Sequence, residues 1–289
     1  MNKVIAIGEI VWDCLPAGKQ LGGAPLNFAF FAKELGAEAY AISAIGVDEL
    51  GNETLDYASK TGVNLDYVQR NDLPTSRVLV TLNDAGIPQY EIVEGVAWDA
   101  IEGSEDALKL VADASVICWG SLAQRSEKSR KNILSLLDAA PDTCVKVFDI
   151  NIRQHYYTRE VVEKSLERAT ILKLNEDELP IVAEMLAVSG SESEIVYSLM
   201  DMYSLEYLIY THGADFSEVY SADGEYSHVA TPKVTVADTV GAGDSFTAVF
   251  VTSLLNGDSL KVSHEKAVKV SAYVCTQNGA INPLPENVL

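Results

Sequence analysis

The stretch Asp238-Thr239-Val240-Gly241-Ala242-Gly243-Asp244 sets two glycines and an acid where a long apolar segment begins. Glycines at a helix start let the backbone come close to a ligand, and the N–H groups of a first turn have no partner in their own helix, so they face an anion. A carboxylate directly after them can take a proton from a hydroxyl. The N–H groups of Gly241, Ala242 and Gly243 would meanwhile hold the phosphoryl group that the hydroxyl attacks. The same residues also fit a glycine turn in which Asp244 only caps the helix, since short glycine patterns have many origins.

Four further clusters could carry chemistry. In Leu21-Gly22-Gly23-Ala24-Pro25-Leu26-Asn27, paired glycines lead into a helix, and Asn27 offers both a donor and an acceptor suited to sugar hydroxyls. Taken alone, the pattern is better explained by a tight turn with a first-turn Asn. Asp13 lies just beyond the first strand, where ligands of open α/β sheets bind, although a solvated loop acid would look the same. Asn175-Glu176-Asp177-Glu178 follows a strand end and can hold a hydrated Mg²⁺ or simply complement a helix dipole. Arg153, in Asp149-Ile150-Asn151-Ile152-Arg153, can clamp an anion through two parallel bonds or pair with a surface acid.

Competing motifs are missing. Gly18-Lys19 is followed by Gln20, so no G-x-x-x-x-G-K-[ST] occurs, and no G-x-G-x-x-G follows the first strand. His264-Glu265 does not continue to a second histidine, and the other three histidines have no ligand-like spacing.

The 289 residues carry a formal charge of −21, which repels nucleic-acid phosphates and anionic lipid surfaces. Any phosphate site must therefore be built locally from N–H groups and metal. No apolar run reaches the roughly 20 residues of a membrane span, and the opening MNKVIAIGEIVWD reads as a strand and an early acid, not a signal peptide. The dispersed Cys14, Cys118, Cys144 and Cys275 read as buried small hydrophobes of a reducing compartment, so a cytoplasmic location is expected.

These residues need a scaffold, and the pattern of the chain predicts one. Strands are expected at Lys3–Gly8, Tyr40–Gly46, Ser115–Trp119, Cys144–Asp149, Ile171–Leu174 and Tyr207–Tyr210. Helices are expected at Pro25–Leu35, Asp48–Thr61, Ser126–Ala139, Thr158–Ala169, from Asn175, and from the capping box Ser191-x-x-Glu194. An Asp223-Gly224 turn joins two short strands, Lys233–Ala237 alternates, and two long helices close the chain near Gly241–Leu255 and Ser259–Thr276. Such alternation predicts a mostly parallel sheet covered by helices on both faces, in one domain spanning 1–289. The exception is a β-hairpin, Ser76–Leu82 and Gln89–Val93 around Asn83-Asp84-Ala85-Gly86, expected as a separate small sheet over the active site.

Together, and in order, these pieces resemble the ribokinase-like (phosphofructokinase-B) family of sugar kinases across nearly the whole chain. Its signatures are met at Gly22, Gly23, Asn27 and Ala29, at Asn175 and Glu178, and at Asp238 through Asp244. The phrases GGAPLNFA, DINIR and GAINPLP look most like fructokinases. The resemblance implies a three-layer α/β/α ribokinase-like fold, with a mostly parallel central sheet and a small antiparallel β lid. It implies ATP-dependent phosphorylation of a sugar, most similarly fructose, with Asp244 as catalytic base and the Gly241–Gly243 N–H groups as anion hole. Asp13, Gly23, Asn27 and Arg153 would surround the sugar. Asn175 and Glu178 would organise Mg²⁺ and phosphates, with Glu178 acting through water. Thr211, Gly213 and Asn278 would line the nucleotide, and many members bind a monovalent cation, K⁺ here, near the position of Asp238. Other substrates open to the same family are 2-keto-3-deoxygluconate and nucleosides, and a sugar sensor without catalysis keeps the same fold. Two departures matter. Only eight residues separate Asp13 from Gly22, so the lid should rest mainly on about 75–98, with 11–22 as the other candidate part and a homodimer through it as an open expectation. Thr211-His212-Gly213 continues to Phe216 where relatives place a second glycine, which leaves nucleotide preference open.

Overall fold

The computed structural model describes residues 2–15, 18–82 and 88–288. The expected turn at 83–86 lies outside them.

The apolar run Lys3–Ile7 forms β1, and its residues divide strictly by parity: Val4 and Ala6 face one core, Ile5 and Ile7 the other. A strand buried on both faces requires that pattern. Parallel neighbours repeat it on each side: β4 (Glu38–Gly46), β5 (Val68–Asn71), β8 (Val116–Trp119), β9 (Val145–Asp149), β10 (Ile171–Asn175) and β11 (Tyr207–His212). β12 (Phe216–Ser221) and β13 (Tyr226–Ala230) add an antiparallel edge. The order is β13-β12-β11-β10-β9-β8-β1-β4-β5, with every pair from β11 to β5 parallel.

One face packs against α1 (Ala24–Glu34), α8 (Ala242–Leu255) and α9 (Leu260–Val274) through Phe28, Phe31, Phe246, Phe250 and Val268; α2 (Glu49–Ala58) contributes Ala58 to that core. The other face carries α3 (Glu105–Val111), α4 (Glu127–Ala139), α5 (Arg159–Leu166), α6 (Glu178–Leu186) and α7 (Glu192–Tyr203) over Trp119, Phe148, Leu172 and Leu208. The Ser191–Glu194 capping box forms at the start of α7 as expected. Among the described residues no helix is long and apolar enough to cross a membrane.

A second, four-stranded sheet stands apart from the first, in the order β3-β2-β6-β7: β2 (Val11–Leu15), β3 (Gly18–Gly22), β6 (Arg77–Leu82) and β7 (Pro88–Ile92). Both hairpins are antiparallel, but β2 and β6 join them in parallel. The segment 11–22 thus contributes as many strands as the hairpin expected to dominate. Asp13 sits within β2, paired with Gln20, and not in a loop.

Three other expectations are corrected. The helix expected from Asn175 begins only at Glu178, because Asn175 ends β10 and its Oδ1 accepts the N–H groups of Asp177 and Glu178, each at 3.0 Å. The alternating Lys233–Ala237 forms no strand; Val234 and Val236 are exposed, and Ala237 N–H donates to the Cys275 carbonyl. Cys118 and Cys144 are buried free thiols, whereas Cys14 and Cys275 are only half-buried.

Trp12 fastens the small sheet to the body. It is almost fully buried, and its indole N–H donates to Thr54 Oγ1 of α2 at 2.8 Å. Replacing Thr54 with Val leaves that buried donor unpaired, so urea unfolding should show a loss of about 1–3 kcal/mol. In a Trp12→Phe background the same change should cost little. An equal cost in both backgrounds would mean that the hydrogen bond is not the reason.

Candidate active site

Parallel strands β1, β9, β10 and β11 deliver their carboxyl ends to one cavity of about 550 Å³, as open α/β sheets do. β1 leads to Glu9, β9 to Asn151 and Arg153, β10 to Lys173 and Asn175, and β11 to Thr211 and Gly213. The starts of α1 and α8 bring Gly23 and Asn27 on one side and Gly241, Gly243 and Asp244 on the other. β2 adds Asp13, and Val78, Ile92 and Trp98 close the apolar side.

Two glycines make the helix starts possible. Gly241, the residue before α8, has φ +81°, and a Cβ there would meet Ala280 Cβ at 2.6 Å. Gly23, before α1, has φ +111°, and a Cβ there would lie 2.4 Å from the Glu9 carbonyl oxygen. Side chains rarely adopt either conformation.

Asp244 sits in the first turn of α8, where its main-chain N–H and that of Gly243 precede any carbonyl of their own helix. Its Oδ2 accepts a hydrogen bond from Asn27 Nδ2 at 2.7 Å. Burial, and next the Asp149 carboxylate, push its carboxyl up to about 6, against the pull of Asn27, Lys173 and Arg153. Asp13 is held above its ordinary value by burial and by Asp238, with Arg153 opposing.

Not every expected residue lines the cavity. Glu178 is buried beneath it, its two oxygens accepting the N–H groups of Ile152 at 2.8 Å and Asn175 at 2.9 Å. Of that acidic motif, Glu176 and Asp177 face the cavity instead. Asp238 lies outside the lining and ties two loops, accepting from Val240 N–H and Gly279 N–H, both at 3.1 Å. Asn278 is exposed in the turn after α9, and Ala242 N–H bonds back to the Thr239 carbonyl at 3.3 Å.

The sequence reading passed over Glu9 and Lys173. Glu9 is 3% exposed, and its Oε2 has no hydrogen-bond partner. Burial foremost, and Asp244 besides, push its carboxyl up to about 7, against hydrogen bonds from the main chain at Glu9 and Ala24. Lys173 is a buried lysine in an otherwise apolar strand, and that isolation was the available signal.

A phosphoryl group needs donors around it and a hydroxyl needs a base within reach. One helix turn beside one cavity brings both kinds of group together, the arrangement of a small-molecule kinase. Residues 7–287 match the pfkB family carbohydrate kinase, and the chain belongs to that family. It is 28% identical over 300 residues to an ATP-dependent 6-phosphofructokinase of Thermoanaerobacterium thermosaccharolyticum, covering 98% of this chain and 91% of that one. It is 28% identical over 306 residues to a fructokinase of Salmonella typhimurium, covering 98% and 96%. In fold it is similar to the crystal structure of fructokinase with bound ATP from Xylella fastidiosa, with TM-score 0.86 and 21% identity over 98% and 95% of the two chains.

Glu9 makes the free protein's stability depend on pH. Its carboxyl ionises near 4.5 when unfolded and near 7 when folded. The folded state therefore holds the proton more tightly, so the stabilisation is complete below pH 4.5 and is lost as pH rises through 7, up to about 3 kcal/mol. Glu9→Gln should be more stable than the parent at pH 8 and close to it at pH 5, measured by urea unfolding at both values. A difference that does not change with pH would contradict the buried proton.

Proposed function

We propose that the chain uses Mg·ATP to phosphorylate the terminal hydroxyl of fructose, as one kinase domain whose small sheet acts as the lid. The observation that carries this is the hydrogen-bonded Asn27–Asp244 pair at the start of α8, facing Asp13 across the shared cavity. Asp13, Gly23 and Asn27 bind and orient the sugar. Arg153 reaches the same space. Asp244 accepts the proton of the attacking hydroxyl, while the N–H groups of Gly241 and Gly243 hold the transferred group, that of Ala242 being taken up by the Thr239 carbonyl. β2 and the β6–β7 hairpin exclude water, which would otherwise compete with the sugar.

The nucleotide lies on the side of Thr211 and Gly213, with Asn278 at its outer end. The carboxylates of Glu176 and Asp177 suit a hard cation that keeps several waters, with Glu178 behind them bracing the Asn175 backbone or acting through water. Bound with ATP, Mg²⁺ would neutralise charge on the phosphates. A monovalent cation such as K⁺ is proposed beside Asp238, whose carboxylate already joins two loops. The outer strands β3 and β7 of the small sheet offer edges through which a second copy could pair, which supports a homodimer.

A second reading rests on Arg153, an exposed guanidinium in the cavity that suits an anionic sugar. Coupled ADP release with fructose, fructose 6-phosphate, 2-keto-3-deoxygluconate and a nucleoside separates the two. Fructose should give the highest kcat/KM; a clear preference for either anionic substrate would give the site to the second reading, and no turnover with any would leave a binding protein. Asp13→Ala should raise the sugar KM about 10- to 150-fold with little change in the KM for ATP, because a charged acceptor is lost. Equal rises in both would remove Asp13 from the sugar site.

A further inference from the structure

The row of β-strand side chains facing α8 is apolar until it reaches the cavity. On β9 it runs from Val147 to Asp149, and on β10 from Ile171 to Lys173. Asp149 and Lys173 are direct register partners on these parallel strands, and their side chains meet at 3.1 Å with under a tenth of either exposed. The other Asp149 oxygen lies 3.2 Å from Thr247 Oγ1, and that hydroxyl also lies 3.0 Å from the Gly243 carbonyl. A Cβ on Gly243 would come within 3.3 Å of Lys173 Nζ. The pair is thus joined by side chain and by close approach to the turn that carries Asp244.

A buried ion pair is weak support for stability, since an apolar pair of similar volume often serves as well or better. Its place directly under the helix start calls for another reason. We propose that the Lys173–Asp149 pair is a positioning device for the kinase reaction: it seats the first turn of α8, and with it Asp244, from below, Lys173 favouring the charge on that carboxylate and Asp149 opposing it. This rests on the reading of Asp244 as the base.

Lys173 supplies the charge balance. Burial opposes its ammonium, but Asp149, Glu178 and Asp244 more than offset that and hold its pKa above the ordinary lysine value. Asp244 is also faced by Glu9 from beyond β1, by Arg153 from beyond β9, by the Asn27 amide from α1 and by the Cys118 thiol from β8. Lys173 and Asp149 act on it in opposite directions. Removing Lys173 withdraws a nearby cation, so Asp244 should lose its proton only at higher pH. Removing the Asp149 charge withdraws a nearby anion, so the proton should leave at lower pH.

The test follows the ¹³C carboxyl signal of Asp244 through a pH titration, alongside the acid limb of kcat/KM. Lys173→Met should move both upward by about one pH unit and Asp149→Asn should move both downward by about one. Shifts in the same direction, or none, overturn the proposal. Absence of turnover in the parent protein would sink the kinase reading, while the carboxyl titration still decides whether the pair governs Asp244. Should a single variant fail to fold, Lys173→Met/Asp149→Leu leaves no lone buried charge and serves instead. A folded double variant with kcat down at least tenfold supports the proposal, and one with kcat within twofold of the parent overturns it.

Discussion

The hydrogen bond from Asn27 to Asp244 spans 217 positions of the chain in 2.7 Å. It brings the start of the first helix against the start of the eighth, and every other feature of the site is arranged around that meeting. Both helices begin at glycines with left-handed φ, and both starts line the same cavity. The shared core of α1, α8 and one sheet face, with Phe28, Phe31, Phe246 and Phe250 buried among strand residues, leaves the two ends little freedom to separate.

A net charge of −21 would drive phosphate away from a uniform surface. The cavity answers locally. It places Lys173, Arg153 and the helix-start N–H groups among its acids, while burial holds Glu9 and Asp244 closer to neutrality than free carboxylates. On the proposed reading of Asp244 as the base, a carboxyl raised to about 6 is poised near neutral pH, where a general base is most effective.

Much of this was legible in the residues. β1 shows as an apolar run, the helix starts show as glycine pairs, and the hairpin betrays itself by breaking the βαβ rhythm. Local signals carry that kind of information. What was not legible depends on tertiary contact. Lys173 and Asp149 are 24 positions apart, and only parallel registry makes them partners. Glu9 reads as a loop acid until the fold buries it. The alternation at Lys233–Ala237 does not become a strand: Val234 and Val236 are exposed, and the segment is held by Ala237 N–H on the Cys275 carbonyl. The segment 11–22 was only the second candidate for the small sheet, because its place there depends on the parallel pairing of β2 with β6, with Trp12 opposite Arg77, and β3 then pairs with β2.

Replacing Asp244 with Asn tests the base most directly, because an Asn side chain keeps the shape and can still accept the Asn27 hydrogen bond but cannot accept the proton. Sugar-dependent kcat, ATP affinity and melting temperature should be measured on this one variant. The account predicts a fall in kcat of about 10²–10⁴ with ATP affinity and melting temperature nearly unchanged. A variant that phosphorylates the sugar at the parent rate would show that Asp244 only holds the helix.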